Sequence, residues 1–228
     1  MKFSINRMSS VNQFRQGAPV RSLVLAGLVA GCLACAVNPA AAQTALGTDQ
    51  VEEDWVLVIG TPSSPIVAPQ IINVIAPVAH VNAEYGLFCL NHSTEPNYVG
   101  GGLQMQRWNG EFLTDYRPPL IAYPLANAGE RITYTMRMKI DKGRLAFGVV
   151  NGRSQSWGNF GGETTQWNSD MVSPYVDLRG YSPYTSAQYT EVGFGANMVS
   201  SFTLKSVRYY KNGKLQKSED PGLKVRVY

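Results

Sequence analysis

Residue types that commonly do chemistry are few and scattered in this sequence. Two histidines (His80 and His92), the lone Cys89 beyond the N-terminal apolar region, and the acidic run Glu52-Glu53-Asp54 are the candidates. A serine nucleophile needs a histidine beside it and a third group orienting that histidine. His92 precedes Ser93, but adjacency in sequence does not build that geometry, and no Gly-x-Ser-x-Gly occurs. Zinc needs closely spaced Cys and His ligands, and one cysteine with two distant histidines offers none. Calcium takes carboxylates and carbonyls; Glu52, Glu53 and Asp54 read better as solvated surface charge. Cys89 lies in the apolar run Tyr85–Asn91 and reads as a small buried hydrophobe rather than a nucleophile. No catalytic residue, metal site or cofactor is therefore expected.

Binding is the chemistry the remaining residues suit. In Leu103-Gln-Met-Gln-Arg-Trp108, strand alternation puts Gln104, Gln106 and Trp108 on one face. An aromatic plate beside amides suits a sugar, which presents apolar C–H faces and rings of hydroxyls. Thr133, Thr135 and Arg137 add a polar stripe on another strand, and Thr190–Asn197 carries a face of Glu191, Gly193, Gly195 and Asn197. Residues 157–189 add Trp157, Trp167 and several tyrosines among short polar residues, either as a recognition loop or as a lid on the core. Gln104, Gln106, Trp108, Arg137, Trp157 and Trp167 form the predicted site. Its partner is a polysaccharide or cell-envelope glycan, bound by stacking and hence insensitive to salt. An ordinary solvated sheet face is the alternative.

The elements that must hold these residues are strands. Short alternating or apolar runs recur between Gly, Pro, Asn and Asp punctuation: 54–59, 70–76, 84–91, 103–108, 131–140, 144–151, 175–178, 190–197, 202–210 and 214–218. Many short strands separated by turns predict an antiparallel two-sheet β-sandwich with very little helix. Ile132, Tyr134, Met136, Met138 and Ile140 share one face, and Leu145, Phe147 and Val149 resume it after the Asp141-Lys142-Gly143 turn. Asn212-Gly213 marks a second hairpin. Before it, Phe202 and Leu204 share one parity and Val207 and Tyr209 the other, which predicts a β-bulge at Lys205–Ser206.

Residues 1–42 read as a secretory leader. Lys2, Arg7, Arg15 and Arg21 precede an apolar run, and Ala40-Ala41-Ala42 ends it, predicting cleavage after Ala42. The run is too short and too broken by Gly27 and Gly31 for a membrane span. Val29-Ala30-Gly31-Cys32 resembles a lipobox, so a lipid anchor at Cys32 is the variant. Residues 43–52 are expected to be a disordered lead-in, and 53–228 a single domain located in the periplasm, outside the cell or on its surface. Four of the 20 basic residues and none of the 16 acidic ones lie in the leader, so the +4 formal charge belongs to it and the remainder is neutral. That speaks against a nucleic-acid partner. Asp49, Glu52, Glu53 and Asp54 near the start of the domain face Lys205, Arg208, Lys211, Lys214 and Lys217 near its end, as expected if the terminal strands are neighbours.

The hairpin Met136–Asn151, the following Gly152-Arg-Ser-Gln-Ser-Trp157, and the late runs Val192–Asn197 and Phe202–Tyr210 resemble concanavalin A-like lectin/glucanase domains. The Glu53-Asp54-Trp55 opening and the Val207-Arg208-Tyr209-Tyr210 close also resemble a family of exported bacterial proteins. The likeness covers about residues 53–217 and implies a jelly roll. Its enzymes carry motifs missing here: there is no Glu-x-Asp-x-x-Glu strand, and Tyr209-Tyr210-Lys211-Asn212-Gly213 matches the lyase segment only faintly and without its partner motifs. The matching motifs are patterns of strand alternation rather than chemistry, so the resemblance implies fold more than function. A structural envelope or matrix protein, and a divergent glycoside hydrolase or polysaccharide lyase, are the alternatives.

Overall fold

The computed structural model describes residues 47–61, 69–78, 84–90, 103–117, 127–195 and 198–225. The leader with Cys32, and both histidines, lie outside these residues. The described chain forms an antiparallel two-sheet β-sandwich.

The larger sheet is built on β1 (Gln50–Ile59), β6 (Arg131–Asp141), β7 (Arg144–Ser154) and β11 (Val199–Lys211). Its order is β12-β11-β1-β6-β7-β8, where β12 is Lys214–Glu219 and β8 is Gly158–Phe160; β13 (Leu223–Lys224) adds to β11 and β9 (Asn168–Val172) to β7. The smaller sheet runs β10-β2-β3-β4-β5, comprising Glu191–Phe194, Gln70–Ile75, Glu84–Leu90, Leu103–Asn109 and Phe112–Tyr116.

The β6–β7 hairpin has the predicted register: Ile140 faces Leu145, Met138 faces Phe147 and Met136 faces Val149. All but Ile140 are fully buried. Lys142 and Gly143 both take positive φ, 48° and 74°, as do Asn212 and Gly213 at 52° and 72°. Two consecutive left-handed residues match the twist of the flanking strands and close each hairpin tightly. The bulge predicted in β11 is present: Asp54 pairs with Ser206 but Trp55 with Leu204, leaving Lys205 as the extra residue. It lets Phe202, Leu204, Val207 and Tyr209 all reach the core although their parity changes.

The expected lead-in is corrected at its end. Val51 is fully buried and Thr48 nearly so. Asp49 donates its N–H to the Tyr210 carbonyl (3.0 Å) and accepts from Ile140 N–H (2.7 Å). The neighbours on both sides supply the order, and nothing in the local sequence announces it. Residues 43–46 lie outside the described set. Tyr175–Leu178 is not a strand: its Leu178 N–H donates to Thr48 O (2.8 Å) in an irregular segment. That segment leads to the one helix among the described residues, α1 (Pro183–Tyr189), which starts on a proline suited to a first turn. Strands β5, β8, β9 and β13 are short and were not legible as separate strands.

Candidate ligand-binding site

Gln104, Gln106 and Trp108 do share one face of β4. Met105 points into the main core, so the three lie on the outer side of the smaller sheet. They hydrogen-bond to one another rather than standing ready for a ligand. Trp108 Nε1 donates to Gln106 Oε1 (2.8 Å), and Gln106 Nε2 donates to Gln104 Oε1. Both glutamines are buried, and the Trp108 ring stacks on Tyr85 with an interplanar angle of 9°.

Two of the predicted tryptophans serve the core. Trp157 is 7% exposed and meets Phe160 edge-on at 5.9 Å. Trp167 is partly buried on the other side of Phe160, at 6.1 Å. Tyr181 is buried as well, so much of segment 157–189 is a lid on the core rather than a recognition loop; Tyr184 and Tyr189 remain exposed.

Arg137 is on the outer face of the larger sheet, on the opposite side of the sandwich from β4. The predicted residues are therefore not one site. Arg137 belongs instead to an arrangement that register creates. Across β6, β7 and β9, one row reads Arg137, Gly148, Asn168 and the next Lys139, Ala146, Asp170. Small residues on the central strand lie between longer ones on both neighbours, giving a trough whose walls are two strand spacings apart, about 10 Å. The Asn168 amide packs directly over Gly148, where a Cβ would lie 2.2 Å from Asn168 Oδ1, so Ala146 floors the open part of the trough.

The trough is the end of a longer depression. Its hollow, 390 Å³, shares Glu163 with a 460 Å³ hollow over Asn151, Arg153 and Gly161-Gly162. That hollow shares Asn151 and Arg153 with a third, 400 Å³, reaching Thr133, Thr135, Asp54 and Arg208. A bulge in β7 makes the bend: Thr133 pairs with Arg153 but Thr135 with Val150, and Asn151 takes φ 57°. The polar stripe of Thr133, Thr135 and Arg137 thus lies along this path.

Every carboxylate along it that shows a shift is held low. Glu163 accepts two hydrogen bonds from Arg137 (2.5 and 2.6 Å), which lower its pKa. Asp170 is lowered by its bond from Arg144. Burial raises Asp54, but bonds from Arg208, Ser206 and Thr135 outweigh it and the net shift is downward. A general acid at neutral pH needs the opposite shift. Arg208 also grips Glu52 (3.0 Å), so the attraction between terminal strands expected from the charges takes the form of a clasp between β1 and β11.

One carboxylate is pushed up, and it faces inward. Glu53 is on the core side of β1, fully buried, and burial raises its pKa to about 7. Tyr181 OH (2.7 Å) and Trp55 Nε1 (2.9 Å) donate to it and moderate the shift. The buried Ser186 hydroxyl stands beside the carboxyl and also lowers its pKa, but completes no hydrogen bond of good geometry. Sequence reasoning had placed Glu53 on the surface with its neighbours; strict alternation with buried Val51, Trp55 and Leu57 was the signal that it points inward. Glu53 lines none of the hollows described here. Among the described residues no group of three or more His, Cys, Asp or Glu is placed to hold a metal ion, and no helix is long and apolar enough to cross a membrane.

No family model, no curated protein and no solved structure matches this chain.

Proposed function

We propose that this chain is an exported, non-catalytic binding module. It lays a glycan or cell-envelope polymer along the outer face of its larger sheet. The carrying observation is the trough floored by Ala146 between the Arg137–Lys139 and Asn168–Asp170 walls. Its width suits a single polymer chain, and the two adjoining hollows extend it across the sheet. The low pKa of Glu163, Asp170 and Asp54 supports binding over acid catalysis. The leader in residues 1–42 supports export, and the resemblance of the hairpin and late strands to concanavalin A-like domains supports a jelly roll with a carbohydrate ligand.

A glycan array probed with the purified protein, followed by calorimetry, tests this reading. Binding is expected in the micromolar to millimolar range, on the order of −4 to −8 kcal/mol. Ala146→Leu fills the floor and abolishes it, whereas Trp108→Ala leaves it unchanged. If no glycan binds the wild type, the module reading falls. The structural alternative, an envelope or matrix protein without a small ligand that assembles through a second copy, is favoured by one feature: β5, an edge strand among the described residues, exposes Phe112 (77%), Leu113 and Tyr116. Concentration-dependent association that Phe112→Lys removes, in a protein without a glycan ligand, would establish it.

A further inference from the structure

We infer that the polymer is an anionic polysaccharide, bearing carboxylates along its chain; this rests on the binding reading above and narrows it. Three observations converge. First, the trough end is lined by Arg117, Arg137, Lys139, Lys142 and Arg144, against Asp141, Glu163 and Asp170. Arg153 adds a cation in the adjoining hollow. Arg153 and Lys142 are exposed, and neither forms an ion pair among the described residues.

Second, the trough already shows the mode of recognition. The Arg137 side chain is only 15% exposed, with its guanidinium fork met by Glu163, whose side chain is 75% exposed. Two parallel N–H···O bonds are the geometry in which arginine selects carboxylates. Glu163 reaches in from the irregular segment between β8 and β9, and its largely exposed carboxylate is the partner that solvent and a ligand can reach. A ligand carboxylate presents the same two oxygens and exchanges with it. Asp170 on Arg144 is a second ion pair, through a single bond from Arg144 Nε, with both side chains about half exposed.

Third, the means of holding a neutral sugar is missing from the path. The aromatic residues lining the three hollows are Trp55, Tyr134 and Phe160, all buried. Among the described residues no exposed ring lines the path for stacking, which leaves charge-assisted hydrogen bonds as the source of affinity there. Binding is then salt-sensitive, the reverse of what a stacking platform implies. A nucleic acid is a poorer fit, because a phosphate backbone needs a continuous basic footprint, whereas carboxylates interrupt this one at Asp54, Asp141 and Asp170.

Calorimetry on the protein expressed from the full chain tests the inference. The probes are polygalacturonate, its methyl ester, a neutral β-glucan and a single-stranded DNA oligonucleotide. Polygalacturonate is expected to bind, and to weaken at least tenfold when salt is raised from 50 to about 500 mM. Its methyl ester and the glucan should bind at least tenfold more weakly. Arg153→Gln and Lys142→Gln should each weaken polygalacturonate binding several-fold, and Arg179→Gln, at a residue that lines none of the three hollows, should not. Equal binding of the methyl ester or the glucan overturns the anionic inference and leaves the module reading intact. Equal binding of the oligonucleotide, or an equal loss in Arg179→Gln, reduces the effect to diffuse charge and overturns it too. Absence of binding to any glycan overturns the module reading itself.

Discussion

At the scale of single residues, the informative one is Glu53. A carboxyl buried between two sheets would rather be protonated, and burial here raises it from 4.5 to about 7. The folded chain therefore holds that proton more tightly than the unfolded chain. The stability this lends is full below about pH 4.5 and is lost as pH rises through about 7. The window spans about 2.5 pH units, so the change is about 3 kcal/mol. Urea denaturation at pH 5 and pH 8 measures it, and Glu53→Gln, which keeps one acceptor oxygen for Trp55 and turns an amide N–H toward the Tyr181 hydroxyl, should flatten the difference. Asp54, Glu163 and Asp170 act in the opposite sense, since their lowered values make stability fall in acid. That loss comes below their ordinary carboxylate range and does not overlap the Glu53 window. A variant that keeps the full wild-type slope between pH 5 and 8 would show that Glu53 is not the group responsible.

At the scale of elements, the β6–β7 hairpin anchors the core. Met136 has no exposed surface and faces Val149 across the ladder. Met136→Asp places an unpaired charge there, and a loss of about 3–5 kcal/mol is expected in chemical denaturation. The connection from β8 to β9 is held by a different constraint. Gly161 adopts φ 86°, and a Cβ would stand 2.7 Å from the Val149 carbonyl oxygen. Gly161→Ala should cost about 2 kcal/mol. Because Gly161 lines the hollow shared with Arg153 and Glu163, the same variant should weaken polymer binding while far-UV circular dichroism stays unchanged. The hairpins and the β11 bulge were legible because alternation and positive-φ turn residues are local signals. Strand β9 was not, because its partner β7 lies twenty-odd residues away and only that pairing makes it a strand.

At the scale of the whole molecule, both sheets enclose one continuous core, running from Val51 and Trp55 through Phe147 and Ile75 to Phe202 and Tyr209. The Arg208 clasp on Glu52 and Asp54 ties the first described strand to the last long one. Arg208→Ala removes charge-assisted bonds from both acids at once, and about 2 kcal/mol of stability should be lost, more at low salt than at high. Whether residues 1–42 are removed is read by N-terminal sequencing of the protein recovered from the cells that make it and from their medium. An N-terminus at Gln43 is expected from Ala40-Ala41-Ala42, and diacylglycerol on Cys32 would replace that with the lipid-anchored form.

The sequence alone determined the class of fold, the core face of the central hairpin and the proximity of the terminal strands. These follow from period-two burial and from charge, both written in neighbouring residues. It did not determine the site. Alternation correctly grouped Gln104, Gln106 and Trp108, yet could not say that their donors and acceptors would satisfy one another, or that Trp157 would turn into the core. It listed Glu53 with Glu52 and Asp54, where one residue of register separates a buried acid from two clasped by arginine. The trough needed three strands, β6, β7 and β9, set side by side so that Gly148 and Ala146 fall between Arg137, Lys139 and Asn168, Asp170. That juxtaposition is a property of long-range register, fixed by packing of the whole sandwich, and no local pattern encodes it.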